Sequence, residues 1–329
     1  TPRPSMVCCP FGACWLLPFL PALVRLACSL PVVGPPLTQL VERFFPSLLG
    51  SKKAGRADCC PPGSWPRLDS DEGHALAGVE MDLPGGVHAY VSRPKTPTGT
   101  AVIVVHDIFG LASGGRARSI CDALAADGFL VVLPDLYGGG DSIEAHGGVE
   151  GLRSGAEESV AWLKSHAWSD VDAKLDAVYA WLMDEGVPAQ NSKLSLTTNR
   201  IGMLGFCWGA WVAAKASATG RIACAVHAHP SWKIEPSLFG EPVEGMAARI
   251  RVPTLLLPAS NDDDAFRDGT YAKIIKKNAA VAVEAIDFPS MTHGFIVRGS
   301  PSDAAVMAEV ERALKASSAF LRAHMPPVE

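Results

Sequence analysis

The residues with most capacity for chemistry sit in the run Gly205-Phe206-Cys207-Trp208-Gly209. It follows a β-branched and aliphatic stretch at 201–204 and opens onto the small-residue helix former Val212-Ala213-Ala214. A glycine two residues before and two after a nucleophile is what a sharp strand-to-helix turn needs, because the turn leaves no room for side chains there. The helix that begins at the turn offers free N–H groups and its dipole to a thiolate. No Gly-x-Ser-x-Gly occurs in the chain, so cysteine holds the nucleophile position. Taken alone, the pentapeptide is equally a tight glycine turn with a buried cysteine. Two later strand ends add to it. Residues 254–257 run into Asp262-Asp263-Asp264, and residues 281–286 run into Thr292-His293-Gly294. Nucleophile, carboxylate and imidazole then follow in the order in which an imidazole oriented by an acid takes a thiol proton. The aspartates also read as a capping turn before Ala265, a task that at least one of them is expected to perform. A competing chemistry is His227-Ala228-His229, which puts two imidazoles on one face of a strand end, as a metal pair needs; no third ligand stands in register with them.

The elements that must position these groups alternate. Short β-branched runs at 88–91, 101–105, 129–133, 201–204, 222–226, 254–257 and 281–286 predict strands, several of them apolar enough to be buried on both faces. Between them, 117–127 ends at Gly128, and Val171, Leu175, Val178 and Leu182 recur at helical spacing before Gly186. A last helix is predicted over 303–322, started by Ser302 or Pro301. The pattern predicts an α/β fold, a mostly parallel central sheet with helices on both faces and functional groups at the strand carboxyl ends.

Composition narrows the function classes. The 329 residues are 48% hydrophobic and 19% charged, which excludes a disordered or fibrous chain. A net charge of -5 gives no basic footprint for nucleic acid, and no Gly-x-Gly-x-x-Gly or P-loop follows an early strand, so nucleotide binding is not expected. The charge is uneven. Residues 1–56 hold Arg3, Arg25, Arg43, Lys52, Lys53 and Arg56 against the single acid Glu42, and an apolar run at 11–33 is interrupted by Pro18, Pro21, Arg25 and Pro31. That composition reads as a targeting or anchoring extension, directing the chain to an organelle or the secretory route, ahead of a cytoplasm-like catalytic domain at 57–329. Membrane contact is expected only through 11–33, which is too broken for a span. The other reading is an amphipathic segment (Leu37, Leu40, Val41, Phe44, Phe45) docking on the domain. Of nine cysteines, Cys8, Cys9, Cys14, Cys28, Cys59 and Cys60 fall in the first sixty residues, without zinc-knuckle spacing, and Cys121, Cys207 and Cys224 stand apart as expected of reduced thiols.

Taken together, Cys59-Cys60-Pro61-Pro62-Gly63, His106-Asp107-Ile108-Phe109-Gly110, Pro134-Asp135-Leu136-Tyr137, Gly205-Phe206-Cys207-Trp208-Gly209 and His293-Gly294-Phe295 resemble the dienelactone hydrolase family of the α/β-hydrolase fold, over about residues 57–325. The resemblance implies a Cys207-Asp262-His293 triad that cleaves lactones or small carboxylic esters through a thioacyl intermediate, without cofactor or metal. It implies an oxyanion hole from the Ile108 and Trp208 amides, and an acid at Asp107, where bacterial members have Glu, that holds or activates the resting thiol. Phe109, Tyr137, Arg153 and Arg298 are the candidates for substrate contact. The expected partner is therefore a small-molecule lactone or ester. A non-catalytic binding homologue and a metal-dependent hydrolase using His227 and His229 are the alternatives. The sequence does not indicate an oligomeric state.

Overall fold

A computed structural model describes residues 59–69, 74–111, 115–185, 187–189, 192–194 and 197–325. The extension at 1–56, with its targeting and docking readings and the apolar run at 11–33, lies outside the described residues. No helix among them is long and apolar enough to cross a membrane.

Eight strands form one twisted sheet: β1 (Val79–Asp82), β2 (His88–Ser92), β3 (Ala101–Val105), β4 (Leu130–Pro134), β7 (Ile201–Phe206), β8 (Cys224–Ala228), β9 (Thr254–Leu257) and β10 (Val283–Ala285). A separate two-stranded ribbon pairs β5 (Val187–Ala189) with β6 (Ser192–Leu194). The order across the large sheet is β1-β2-β4-β3-β7-β8-β9-β10. Every pair from β4 to β10 is parallel, and β2 runs antiparallel to both of its neighbours. β3 connects outward to β4 on one side and has β7 on the other, so the strand order reverses between β3 and β7. A crevice opens outside the carboxyl ends of strands at such a point.

The central strands are buried on both faces, and their side chains alternate between two cores. In β3, Ala101, Ile103 and Val105 join one core while Val102 and Val104 join the other. The helix α1 (Ala117–Ala126) covers the second face with Ile120, Cys121 and Leu124. On the first face, α2 (Trp168–Glu185) contributes Val171, Leu175, Val178 and Leu182, the spacing that the sequence displays, and α3 (Trp208–Ala216) contributes Trp211 and Val212. The terminal α4 (Ala304–His324) returns to the second face through Val306, Val310 and Leu321.

The sequence expectations are corrected in a few places. β8 begins at Cys224 rather than at 222, and β10 shortens to Val283–Ala285. α4 is capped by neither Ser302 nor Pro301: the Asp303 carboxylate accepts from the Ala305 and Val306 amides, serving two of the free N–H groups at the helix start. The sequence pattern does not predict β1. It is an edge strand whose residues are mostly exposed, and its Glu80 and Asp82 dilute the apolar signal.

Candidate active site

Cys207 occupies the turn between β7 and α3 with a φ of 54°, a left-handed conformation costly for a residue with a Cβ. The surroundings enforce it. A Cβ on Gly205 would lie 2.1 Å from the Gly209 carbonyl oxygen, and one on Gly209 would lie 2.4 Å from that of Val105, so both positions require glycine for the strand and helix to approach. The Cys207 amide donates to the Ala228 carbonyl at 3.1 Å, and the Ala210 and Ser231 amides donate to the Cys207 carbonyl at 3.0 and 3.2 Å.

The ends of β9 and β10 deliver the acid and the imidazole. His293 Nδ1 lies 2.6 Å from Asp262 Oδ1, both side chains being fully buried. The other carboxylate oxygen accepts from the Ala259 amide at 2.7 Å, and the His293 amide donates to the Asn261 side-chain oxygen at 2.7 Å, so both partners are fixed from behind. Burial alone would depress the imidazole pKa; the charges of Cys207 and Asp262 on either side outweigh it and hold His293 well above its ordinary value. His293 Nε2, the ring nitrogen away from Asp262, is buried without a hydrogen-bond partner.

Cys207 Sγ is enclosed. It lies 3.6 Å from the sulfurs of both Cys59 and Cys60 and 3.3 Å from the Ser231 hydroxyl. The segment 59–65 therefore lies as a strap across the nucleophile turn. Arg153 donates from Nε to the Cys60 carbonyl and from Nη2 to the Pro61 carbonyl, both at 2.9 Å. Asn261 holds the Pro62 carbonyl at 2.9 Å, the Ser231 hydroxyl donates to the Cys59 carbonyl, and the Trp65 amide donates to the His293 carbonyl at 2.9 Å. Two cavities flank the strap. One of about 180 Å³ is bordered by Cys59, Ser231, Trp232, Asp262 and Phe266, and one of about 260 Å³ by Cys60, Trp65, Phe109, Arg153 and Arg298.

The remaining predicted residues lie around this centre. The Asp107 carboxylate accepts from the Phe109 amide at 2.9 Å and pairs with Arg298 Nε at 3.1 Å, an ion pair buried on both sides. Burial raises the Asp107 pKa, and Arg298 with the Phe109 amide offsets this only in part. Arg298 Nη2 also lies 4.0 Å from the Cys60 sulfur, and its guanidinium covers the Phe109 ring at 4.9 Å. Ile108 follows Asp107 at the end of β3, while Trp208 is the first residue of α3, whose amide the helix itself does not use. The Trp208 ring stacks on His106 at 5.3 Å and meets Tyr137 at a tilt at 4.6 Å, so Tyr137 sits within an aromatic group in the core. His106 is neutral: burial pushes its pKa down to about 4. Nδ1–H donates to the Asp107 carbonyl at 2.8 Å and Nε2 accepts from the Leu136 amide at 3.2 Å, a tautomer that ties the β3 and β4 ends together.

His227 and His229 do not act as a pair. His227 Nδ1 donates to the Ala210 carbonyl at 3.0 Å and its ring meets Trp232. β8 ends at Ala228, and His229 follows with a φ of 37°, which turns its ring onto His293, Phe206 and Phe295. The one-face expectation fails because strand alternation stops one residue too early. Among the described residues, the group that brings three candidate metal-ligating atoms together is Cys59, Cys60 and Cys207, with neither histidine.

Sequence reasoning did not single out Ser231 or Asn261. Both follow strand ends, β8 and β9, which is the signal that could have found them.

A model of the dienelactone hydrolase family matches residues 87–325. The carboxymethylenebutenolidase homolog of Mus musculus is 28% identical over 272 residues, covering 79% of this chain and 96% of the mouse protein. That of Homo sapiens is 27% identical over 262 residues, covering 74% and 93%. Among solved structures, a putative dienelactone hydrolase from Klebsiella pneumoniae superposes with a TM-score of 0.53 at 20% identity, over 75% of this chain and 99% of that one. A dienelactone hydrolase-like promiscuous phosphotriesterase from metagenomic libraries gives 0.52 at 19% identity, over 77% and 100%. With a mostly parallel sheet that reverses order at β3 and β7, a strained cysteine at the switch point and a family match that runs from β2 to β10, the chain belongs to the dienelactone hydrolase family and has the α/β-hydrolase fold.

Proposed function

We propose that this chain, by family a carboxylic ester and lactone hydrolase, works through Cys207 as nucleophile, His293 as general base and acid, and Asp262 as the group that orients His293. The observation that carries the reading is the convergence of three strand ends, with His293 and Asp262 joined at 2.6 Å beside the Cys207 turn. The Cys207 thiolate adds to the substrate carbonyl, and the amides of Ile108 and Trp208 receive the oxyanion. Each such donor contributes about 100- to 1000-fold in rate. The intermediate collapses with expulsion of the alkoxide, which takes a proton from the His293 imidazolium, and leaves a thioacyl enzyme. In a lactone the released alcohol stays tethered to the acyl group. His293 then accepts a proton from water, which attacks the thioester and returns Cys207 as thiolate. Esters and lactones suit this nucleophile better than amides, because an amine leaves less readily than the thiolate.

The cavity of about 180 Å³ beside Cys59 and Ser231 favours small acyl groups. Arg298, committed to Asp107, and Arg153, committed to the strap, support a role in shaping the site more than in binding a substrate carboxylate.

The test is hydrolysis of enol-lactones, saturated lactones and short aryl esters by the full chain beside Cys207→Ala, with and without chelator. Turnover that survives chelator and disappears in the variant supports the cysteine hydrolase. Turnover that persists in Cys207→Ala overturns it.

A further inference from the structure

The hydrolytic mechanism uses one thiol, yet three meet where the strap crosses the nucleophile turn. Cys59 and Cys60 are 0% and 2% exposed, and each places its sulfur 3.6 Å from that of Cys207. At van der Waals contact, closing to a bonded distance near 2 Å needs a movement of only about 1.5 Å. The two neighbours are not equivalent. Cys60 is pinned from its carbonyl by Arg153 and has the Arg298 guanidinium 4.0 Å from its sulfur. Hydrogen bonds from Cys207 and Cys59, together with Arg298, hold the Cys60 thiol well below its ordinary pKa, whereas burial holds Cys59 well above it. A buried cation beside the trio also favours anionic sulfur over a bound metal ion.

We propose that Cys60 is a resolving thiol for Cys207, converting peroxide oxidation of the nucleophile into a reversible Cys60–Cys207 disulfide. In the first step the Cys207 thiolate attacks the distal oxygen of a small hydroperoxide. The O–O bond breaks, the departing alkoxide or hydroxide takes a proton from the His293 imidazolium, and sulfur is oxidised by two electrons to the sulfenic acid. In the second step the Cys60 thiolate attacks the Cys207 sulfur, the S–O bond breaks, and hydroxide leaves as water after taking a proton. An external dithiol returns both thiols. The flanking cavities, of about 180 and 260 Å³, admit a peroxide, which is little larger than water. Without a resolving partner, Cys207 would progress to the irreversible sulfinic acid.

The experiment exposes the full chain to hydrogen peroxide, blocks free thiols and maps cross-linked peptides, while ester hydrolysis is followed before and after dithiothreitol. The parent protein is expected to yield a Cys60–Cys207 peptide, to lose hydrolysis in step with it, and to recover on reduction. Cys59→Ser is expected to behave like the parent, each protein being compared with its own starting rate. Cys60→Ser is expected to accumulate Cys207 sulfinate and to recover little. A parent without the Cys60–Cys207 peptide overturns the proposal, as does a Cys60→Ser protein that recovers as fully as the parent. Peptide mapping of the parent needs neither variant to fold nor any turnover, so a failure of the hydrolase reading and a failure of this one are separately visible.

Discussion

Three consecutive aspartates divide their work by atom. Asp262 meets His293, Asp263 caps the short helix after it through the Ala265 amide and accepts from the Tyr271 hydroxyl at 2.7 Å, and Asp264 pairs with Arg267. Only the first of them holds an imidazole in a defined tautomer. Asp262→Asn is therefore expected to keep the fold and lower kcat by about 10⁴, because an amide at that position presents the wrong hydrogen-bonding group to Nδ1–H. Asp263→Asn is expected to leave kcat within a few-fold, since an Asn still caps a helix. Steady-state kinetics on both variants checks the assignment, and equal losses would remove the distinction between the two residues. The resemblance to the dienelactone hydrolase family already implies Asp262 rather than its neighbours as the acid. The partner of Asp107 was not legible in the same way, because Arg298 arrives from an element far along the chain and nothing local to Asp107 announces it.

The element that decides the site is the turn from β7 to α3. Gly209→Ala adds a Cβ that would stand 2.4 Å from the Val105 carbonyl oxygen and 2.6 Å from that of His106, both backbone atoms of the neighbouring strand end. Neither can swing aside as a flexible side chain would. The variant is expected to lose about 1–3 kcal/mol or more of stability and to displace Cys207; denaturant titration alongside ester hydrolysis measures both, and a parent-like midpoint would show that the turn has slack. This element was readable from sequence because glycine spacing, strand and helix all agree over a dozen residues. The core strands are readable for a similar reason: residues 101–105 and 255–257 are apolar throughout and buried on both faces, so composition and environment say the same thing. β1 was not, because an edge strand exposed to water carries charge where a central one would not. The strap was visible only as a cysteine-proline cluster, since its position depends on hydrogen bonds to Arg153, Ser231 and Asn261, which no local pattern encodes.

At the scale of the molecule, the two cores close around several imidazoles, and this sets how stability responds to acid. Burial pushes the pKa values of His106 and His227 down to about 4, lowers that of His166, and holds His229 well below its ordinary value. An unfolded chain binds protons at these side chains near pH 6.5 while the folded chain refuses them until the pH is much lower. Between about 6.5 and 4 the unfolded state therefore holds more protons, and stability falls as the pH is lowered. His106 and His227 each account for up to about 3 kcal/mol of that loss. His293 acts in the opposite sense: its raised pKa contributes stability that is fully present below 6.5 and is lost as the pH rises through the folded value. The fold is thus expected to be most stable around neutrality and to weaken towards pH 5, with urea midpoints at pH 7.5, 6 and 5 declining in that order. His227→Gln, which removes one proton from the difference while leaving a donor for the Ala210 carbonyl, should make the decline shallower. A midpoint that held steady or rose on acidification would mean that these imidazoles are protonated in the native protein, and that the two cores admit water to them.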